Sequence, residues 1–308
     1  MRYAGIDIGG TKCAVTLGEA NAEGVEILKK ERFLTDVTQP PKNVIERFCA
    51  ILDTLGRVDG IGVSCGGPLS SKTGRIMAPP NLPLWVDVPV VDILQKRYGV
   101  PVRLQNDANA CALAEWRYGA GQGCENMIFL TCGTGFGAGL ILDGRLYSGS
   151  HDMAGEIGHV RLEKDGPVGY GKAGSCEGFC SGGGIKRLAA SIAESAAVKP
   201  EWYPDRCDAK SVAEAAKAGD ETALEVWRVS GEKLGAALAI LVDLFDPQRI
   251  VIGSIFARSG ELLIPHMERV LRREALSHSL EGLEILPAAL GEQLGDYAAI
   301  CVAMGDEK

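Results

Sequence analysis

Long apolar runs are missing from this 308-residue chain. No stretch approaches the roughly 18 to 20 consecutive apolar residues that a bilayer-spanning helix needs, which excludes a helical membrane protein. A surplus of cationic side chains is missing as well: 32 Lys and Arg stand against 40 Asp and Glu, a formal net charge of −8. Phosphate backbones are bound by excess Lys and Arg, so this balance argues against a nucleic-acid partner and mainly aids solubility. The N-terminus, MRYAGIDIGG, has the form of neither a signal peptide nor a transit peptide and runs directly into a strand pattern, so the expected location is the cytoplasm. No low-complexity tract or disordered linker interrupts the sequence.

Ten cysteines are present, but Cys13, Cys49, Cys65, Cys111, Cys132 and Cys301 lie inside apolar segments. A thiol there behaves as a small hydrophobe, so reduced structural thiols are expected. The length exceeds the usual size of a single core, and two lobes with a cleft between them follow as the default.

The stretch 104–116, LQNDANACALAEW, places Asn106 and Asp107 at the end of an apolar run and the start of a helical one. Two glycine-rich turns flank it along the chain. In DIGGTK, Gly9 and Gly10 let the backbone approach a ligand and adopt positive φ, Thr11 offers a hydroxyl, Lys12 a cation, and Asp7 a carboxylate for a hydrated magnesium ion beside phosphates. In CGTGFGAG, Gly133, Thr134, Gly135 and Gly137 repeat the strand, glycine turn, strand layout. Each turn alone is compatible with an ordinary hairpin. Two of them with a carboxylate between suit a phosphoryl transferase, here a sugar kinase. Asp107 also suits a plain helix N-cap, and the two roles are compatible.

Further along, residues 59–64 read as a buried strand ending in Gly66, Gly67 and Pro68, at the edge where α/β sheets place ligands. Prolines 79, 80 and 83 stiffen a loop expected to display Asn81 and Trp85; a plain connection is the alternative. Glu156 and His159, three apart, suit a helical turn facing sugar hydroxyls, or His159 is a satisfied core histidine. Residues 166–184 read as a glycine-dense loop. Helices are expected at 40–55, 91–98, 108–118, 185–197, 211–218, 221–245, 262–271 and 295–304. The small-residue run at 235–239 suits close helix packing, and the strand at 249–254 ends in a turn able to face a nucleotide base.

These segments in this order resemble the ROK family of sugar kinases and regulators: DIGGTK, DGIGVSCGGP, PPNLPLW, QNDANA, GTGFGAG, GEIGHV, GSCEGFCSG and DPQRIVIG. The resemblance implies an α/β, two-lobed actin-like ATPase (ribonuclease H-like) fold with duplicated βββαβαβα lobes and an interlobe cleft. The lobes would be 1–118 with 294–308, and 119–293. It implies ATP-dependent phosphorylation of a hexose, first the 6-hydroxyl of glucose, then N-acetylmannosamine or another hexose, by a homodimer. Asp107 would be the general base, with Gly67, Asn81, Asn106, Glu156, His159 and Glu177 holding the sugar. Asp7, Gly9, Gly10, Thr11, Lys12, Gly133, Thr134, Gly135, Gly137 and Gly253 would serve ATP and Mg2+, with adenine contacts around Ser254 left open.

Family members commonly carry a zinc site of a histidine and three thiolates; here Val168, Tyr170 and Ser175 stand at the thiolate positions, so no structural zinc is expected. A shifted set of His159, Cys176 and Cys180 is the alternative. A non-catalytic regulator of the same family needs a DNA-binding helix-turn-helix ahead of the core; with DIGGTK beginning at Asp7, a kinase rather than such a regulator is expected.

Overall fold

The computed structural model describes residues 1–21 and 24–305. The first part of the chain forms β1 (Arg2–Ile8), β2 (Lys12–Asn21), β3 (Gly24–Leu34), α1 (Pro41–Leu52), β4 (Gly60–Cys65), β5 (Leu69–Ser70), β6 (Arg75–Ile76), α2 (Val90–Tyr98), β7 (Val102–Asn106) and α3 (Asp107–Tyr118). The second forms β8 (Met127–Cys132), β9 (Phe136–Leu142), β10 (Arg145–Leu146), β11 (Val168–Gly169), β12 (Lys172–Ala173), α4 (Cys176–Cys180), α5 (Gly182–Ser195), α6 (Ala209–Lys217), α7 (Glu221–Phe245), β13 (Arg249–Ile252), α8 (Ile255–Glu274), β14 (Glu284–Pro287) and α9 (Leu294–Met304). The chain divides into two compact units: Met1–Gly123 with Gly139–Ala154 and the segment from Glu292 onward, and Cys124–Ala138 with Gly155–Gly291.

The two large sheets run β3-β2-β1-β4-β7 and β10-β9-β8-β13-β14. In each, three consecutive strands lie in the order third, second, first, followed by two later ones. That repeated order is the duplication the two glycine turns announced. In the first sheet β1 to β3 pair antiparallel, while β4 and β7 continue parallel to β1. Every residue of β4 (GIGVSC) is buried, as a central parallel strand covered on both faces requires.

Burial explains the rest of the first unit. Helix α1 sends Val44, Ile45, Phe48, Cys49 and Leu52 into a core with Ile6, Ile8, Val15, Ile61, Val63 and Leu104. Helix α9 packs on β1 and β4. A Cβ at Gly62 would lie 2.1 Å from the Ala299 carbonyl oxygen, so only glycine permits this approach. In the second unit α7 starts at its Asp220 cap and ends at Asp246 before Pro247. Its small residues do admit a neighbour: a Cβ at Gly235 would stand 2.4 Å from the Met267 oxygen of α8.

Several expectations need correction. Trp85 is not displayed: it is 2% exposed and belongs to the core of the first unit. Residues 166–184 are not a loop, because they hold β11, β12, α4 and the first turn of α5, with Cys176, Phe179 and Cys180 buried. Helix α8 begins at Ile255 and bends at Ser259. All ten cysteines are free thiols. Among the described residues no helix is long and apolar enough to cross a membrane.

Candidate functional site

In the first unit, register builds the site. Parallel pairing sets Asp7 beside Ser64 and Ile8 beside Cys65 across β1 and β4, and Cys65 beside Asn106 across β4 and β7. The carboxyl ends of three neighbouring strands therefore deliver Asp7, Gly66 and Asn106 to one edge, where open α/β sheets receive ligands. Asn106, not Asp107, is the N-cap of α3: its Oδ1 accepts from the backbone N–H of Ala108 at 3.0 Å and Asn109 at 3.3 Å. Its Nδ2 points towards Gly67, 3.5 Å from where a Cβ there would stand. Asp107 opens the helix, accepts from Ala108 N through Oδ1 at 2.8 Å, and turns Oδ2 towards Gly66.

Solvent reaches Asp107. The protein around it nevertheless strips hydration from the carboxylate and raises its pKa, an effect partly offset by the Ala108 N–H. Being open to solvent, the Asp107 carboxylate can be reached by a substrate hydroxyl. Asp7 is half-buried and is pushed up to about 6, first by burial and then by the charges of Asp107 and Asp296, against the pull of Lys30 and Lys12. Gly9 and Gly10 do not adopt positive φ. Crowding explains them instead: a Cβ at Gly9 would lie 2.7 Å from the Lys12 oxygen, and one at Gly10 2.6 Å from Asn81 Cβ. Thr11, Lys12 and Asn81 are exposed beside this turn.

Sequence reasoning missed Asp296. Buried in the first turn of α9, it accepts from Thr16 Oγ1 at 2.9 Å and from Lys30 Nζ, and Gly295 before it faces the Asp7 carboxylate. An acidic residue opening the last helix is the signal that marks it.

In the second unit, the turn between β8 and β9 carries Gly133, Thr134 and Gly135, and Gly137 follows inside β9. Gly182 N donates to the Gly133 oxygen at 2.7 Å, which brings the turn to the start of α5, capped by Ser181. A helix N-terminus favours anions, so Gly182, Gly183 and Gly184, which sequence reasoning missed, join the candidate phosphate site; the Ser-Gly-Gly-Gly string before a helical run is the signal that marks them. Gly253 precedes Ser254, whose Oγ stands 3.5 Å from a Cβ position at Gly133. Glu177 Oε2 accepts from Phe136 N at 3.1 Å, tying a proposed sugar contact to the phosphate turn. Glu156 and His159 flank and close a short 3-10 turn, and both are exposed, so His159 is not a core histidine. The candidate residues thus gather into two groups, one per unit.

The donors present do not fit the family's zinc site. Val168 offers no donor atom, and the buried Ser175 hydroxyl is engaged, donating to Gly169 O at 3.3 Å and accepting from Gly178 N at 3.1 Å. Cys176 and Cys180 are buried, with the Cys180 thiol donating to the Ser230 carbonyl at 3.9 Å, whereas His159 is exposed. Among the described residues no three or more His, Cys, Asp or Glu stand together as a metal site.

A sequence profile of the ROK family matches residues 3–304. The chain belongs to the ROK family. It is 33% identical to the glucokinase of Thermotoga maritima over 315 residues, covering 98% of this chain and 97% of that one. The structure of a ROK family glucokinase from Streptomyces griseus in complex with glucose and AMPPNP superposes with a TM-score of 0.80 at 32% identity, covering 99% of both chains. The two sheet-containing lobes are those of the actin-like ATPase fold. ROK members also include regulators: the DNA-binding transcriptional dual regulator NagC of Escherichia coli is 30% identical over 249 residues, 79% of this chain and 60% of NagC.

Proposed function

We propose that this ROK protein is an ATP-dependent hexose kinase in which Asp107 is the general base. The observation that carries the reading is Asp107 itself: a solvent-reachable carboxylate with a raised pKa, delivered with Asn106 to the carboxyl edge of three parallel strands. The sugar hydroxyl attacks the γ-phosphorus, the new O–P bond forms as the bond to the β-phosphate oxygen breaks, and Asp107 takes the hydroxyl proton while ADP leaves. Phosphoryl transfer depends chiefly on positioning and charge neutralisation, so a single aligned base suffices. Asn106 Nδ2, Asn81, Gly67, Glu156, His159 and Glu177 hold the sugar.

Backbone N–H groups around Gly9, Gly10, Gly133, Thr134, Gly135 and Gly137 take the phosphates, with Thr11 and Lys12 beside them; Gly253 lies towards the base. Asp7 suits a magnesium ion, because its neighbours Asp107 and Asp296 leave negative charge there that a cation relieves. When bound, that ion neutralises phosphate charge. Magnesium keeps several waters and takes few protein ligands, so one carboxylate is a sufficient anchor.

Glucose, at its 6-hydroxyl, is the first substrate in this reading, followed by N-acetylmannosamine, fructose and allose; cytoplasmic location and a homodimer belong to the same reading. The test mixes purified protein with ATP, magnesium and each sugar, and measures ADP release. Sugar-dependent release, fastest with glucose, is expected. Sugar binding without any release would instead mark a non-catalytic regulator.

A further inference from the structure

The hairpin of β11 and β12 serves neither large sheet, yet it is tied to two proposed sugar contacts of its unit, His159 and Glu177. Lys172 Nζ donates to the His159 carbonyl at 2.7 Å. The Tyr170 ring meets the His159 ring edge-on, with centroids 5.9 Å apart and planes at 78°. Ser175, fully buried, donates to Gly169 O in the hairpin and caps α4 through Gly178 N, on either side of Glu177. The hairpin backbone lies flush on that helix: a Cβ at Gly169 would stand 2.5 Å from Gly178 N.

The hairpin tip is itself unusual. Tyr170 and Gly171 form a two-residue turn with φ of 45° and 74°. Such turns favour Asn or Gly at the first position, and a large aromatic residue there is strained. Tyr170 is also 63% exposed, so core packing does not account for it. Strain held at an exposed position beside a ligand-binding candidate points to function.

We propose that this hairpin is the clamp that sets sugar affinity, with Tyr170, Lys172 and Ser175 as positioning residues for His159 and Glu177. A hydrogen-bonded and aromatic tie does here what metal coordination would do with thiolates at the same positions. The clamp acts on the sugar side only. Tyr170 fixes the plane of the His159 ring, Lys172 fixes its backbone, and Ser175 fixes the first turn of α4, from which Glu177 projects. This inference rests on the kinase reading above.

The test compares Tyr170→Gly, Tyr170→Phe and Ser175→Ala with the unaltered enzyme in steady-state kinetics and thermal unfolding. Tyr170→Gly relaxes the turn, so its melting temperature holds or rises, while KM for the sugar rises about three- to tenfold, the range of a lost positioning contact. Its kcat stays within about twofold and KM for ATP is unchanged, a split that plain destabilisation does not produce. Tyr170→Phe keeps the ring and keeps the parental sugar KM. Ser175→Ala raises sugar KM in the same sense, with a lower melting temperature. An unchanged sugar KM in Tyr170→Gly, with the parent active, overturns the clamp and leaves the kinase reading standing. Absence of sugar-dependent turnover in the parent removes both.

Discussion

Replacing Asp7 by Asn should stabilise the protein while it destroys turnover. In the folded chain Asp7 is held at about 6 against an ordinary value of 3.8, by burial and by the charges of Asp107 and Asp296. At 1.36 kcal/mol per pH unit, charging it at neutral pH costs about 3 kcal/mol more in the folded than in the unfolded chain; partial solvent access brings this to about 1–3 kcal/mol. The sign follows from proton binding. Between 3.8 and about 6 the folded chain binds more protons than the unfolded one, so stability present below that window is lost as pH rises through it. Asn carries no such penalty. Denaturant or calorimetric unfolding should therefore find Asp7→Asn more stable than the parent at pH 7.5, with the gap closing as pH approaches 4. At roughly 2–4 °C per kcal/mol the difference is readily measured. Adding ATP with magnesium should raise the melting temperature of the parent and not of the variant. A variant less stable than the parent at pH 7.5, or a gap that does not change with pH, would refute the electrostatic account.

Other perturbations separate stability from chemistry. Trp85→Ala should cost about 3–5 kcal/mol of unfolding free energy, since the side chain is 2% exposed in the core of the first unit; a loss under about 1 kcal/mol in denaturant titration contradicts that placement. Asn106→Ala removes the cap of α3 and should lose about 1 kcal/mol of stability together with a raised sugar KM, which thermal unfolding and kinetics measure side by side. Stripping divalent cations with a chelator should stop turnover, and magnesium alone should restore it. Elemental analysis finding about one zinc per chain would contradict the hydrogen-bonded role given to Ser175.

Strong local periodicity carried furthest from sequence to structure. Helix α7 matches its expected bounds because Asp220 caps one end and Asp246-Pro247 closes the other. Where the decisive partner is distant in sequence, the pattern is silent. Prolines 79, 80 and 83 announce an ordered loop, but nothing local says that Trp85 turns inward. Glycine and serine at 166–184 read as a loop because each disfavours a helix interior, while Ser175 and Ser181 in fact cap α4 and α5. Close neighbours, and not positive φ, demand Gly9 and Gly10, and the Asn81 that crowds Gly10 is distant in sequence. Asp296 reaches Asp7 from the far end of the chain, a proximity that no window of sequence contains. At the junction of β7 and α3 the pair Asn106-Asp107 was legible and the division of labour was not: the amide caps, which leaves one oxygen of the acid turned towards Gly66.

The most direct measurement is the turnover of purified Asp107→Ala with ATP, magnesium and the best hexose, alongside its thermal unfolding. Loss of an aligned general base predicts a fall in kcat of about 10²- to 10⁴-fold with the cooperative transition preserved. A folded variant that keeps most of the parental rate would contradict the role assigned to this carboxylate.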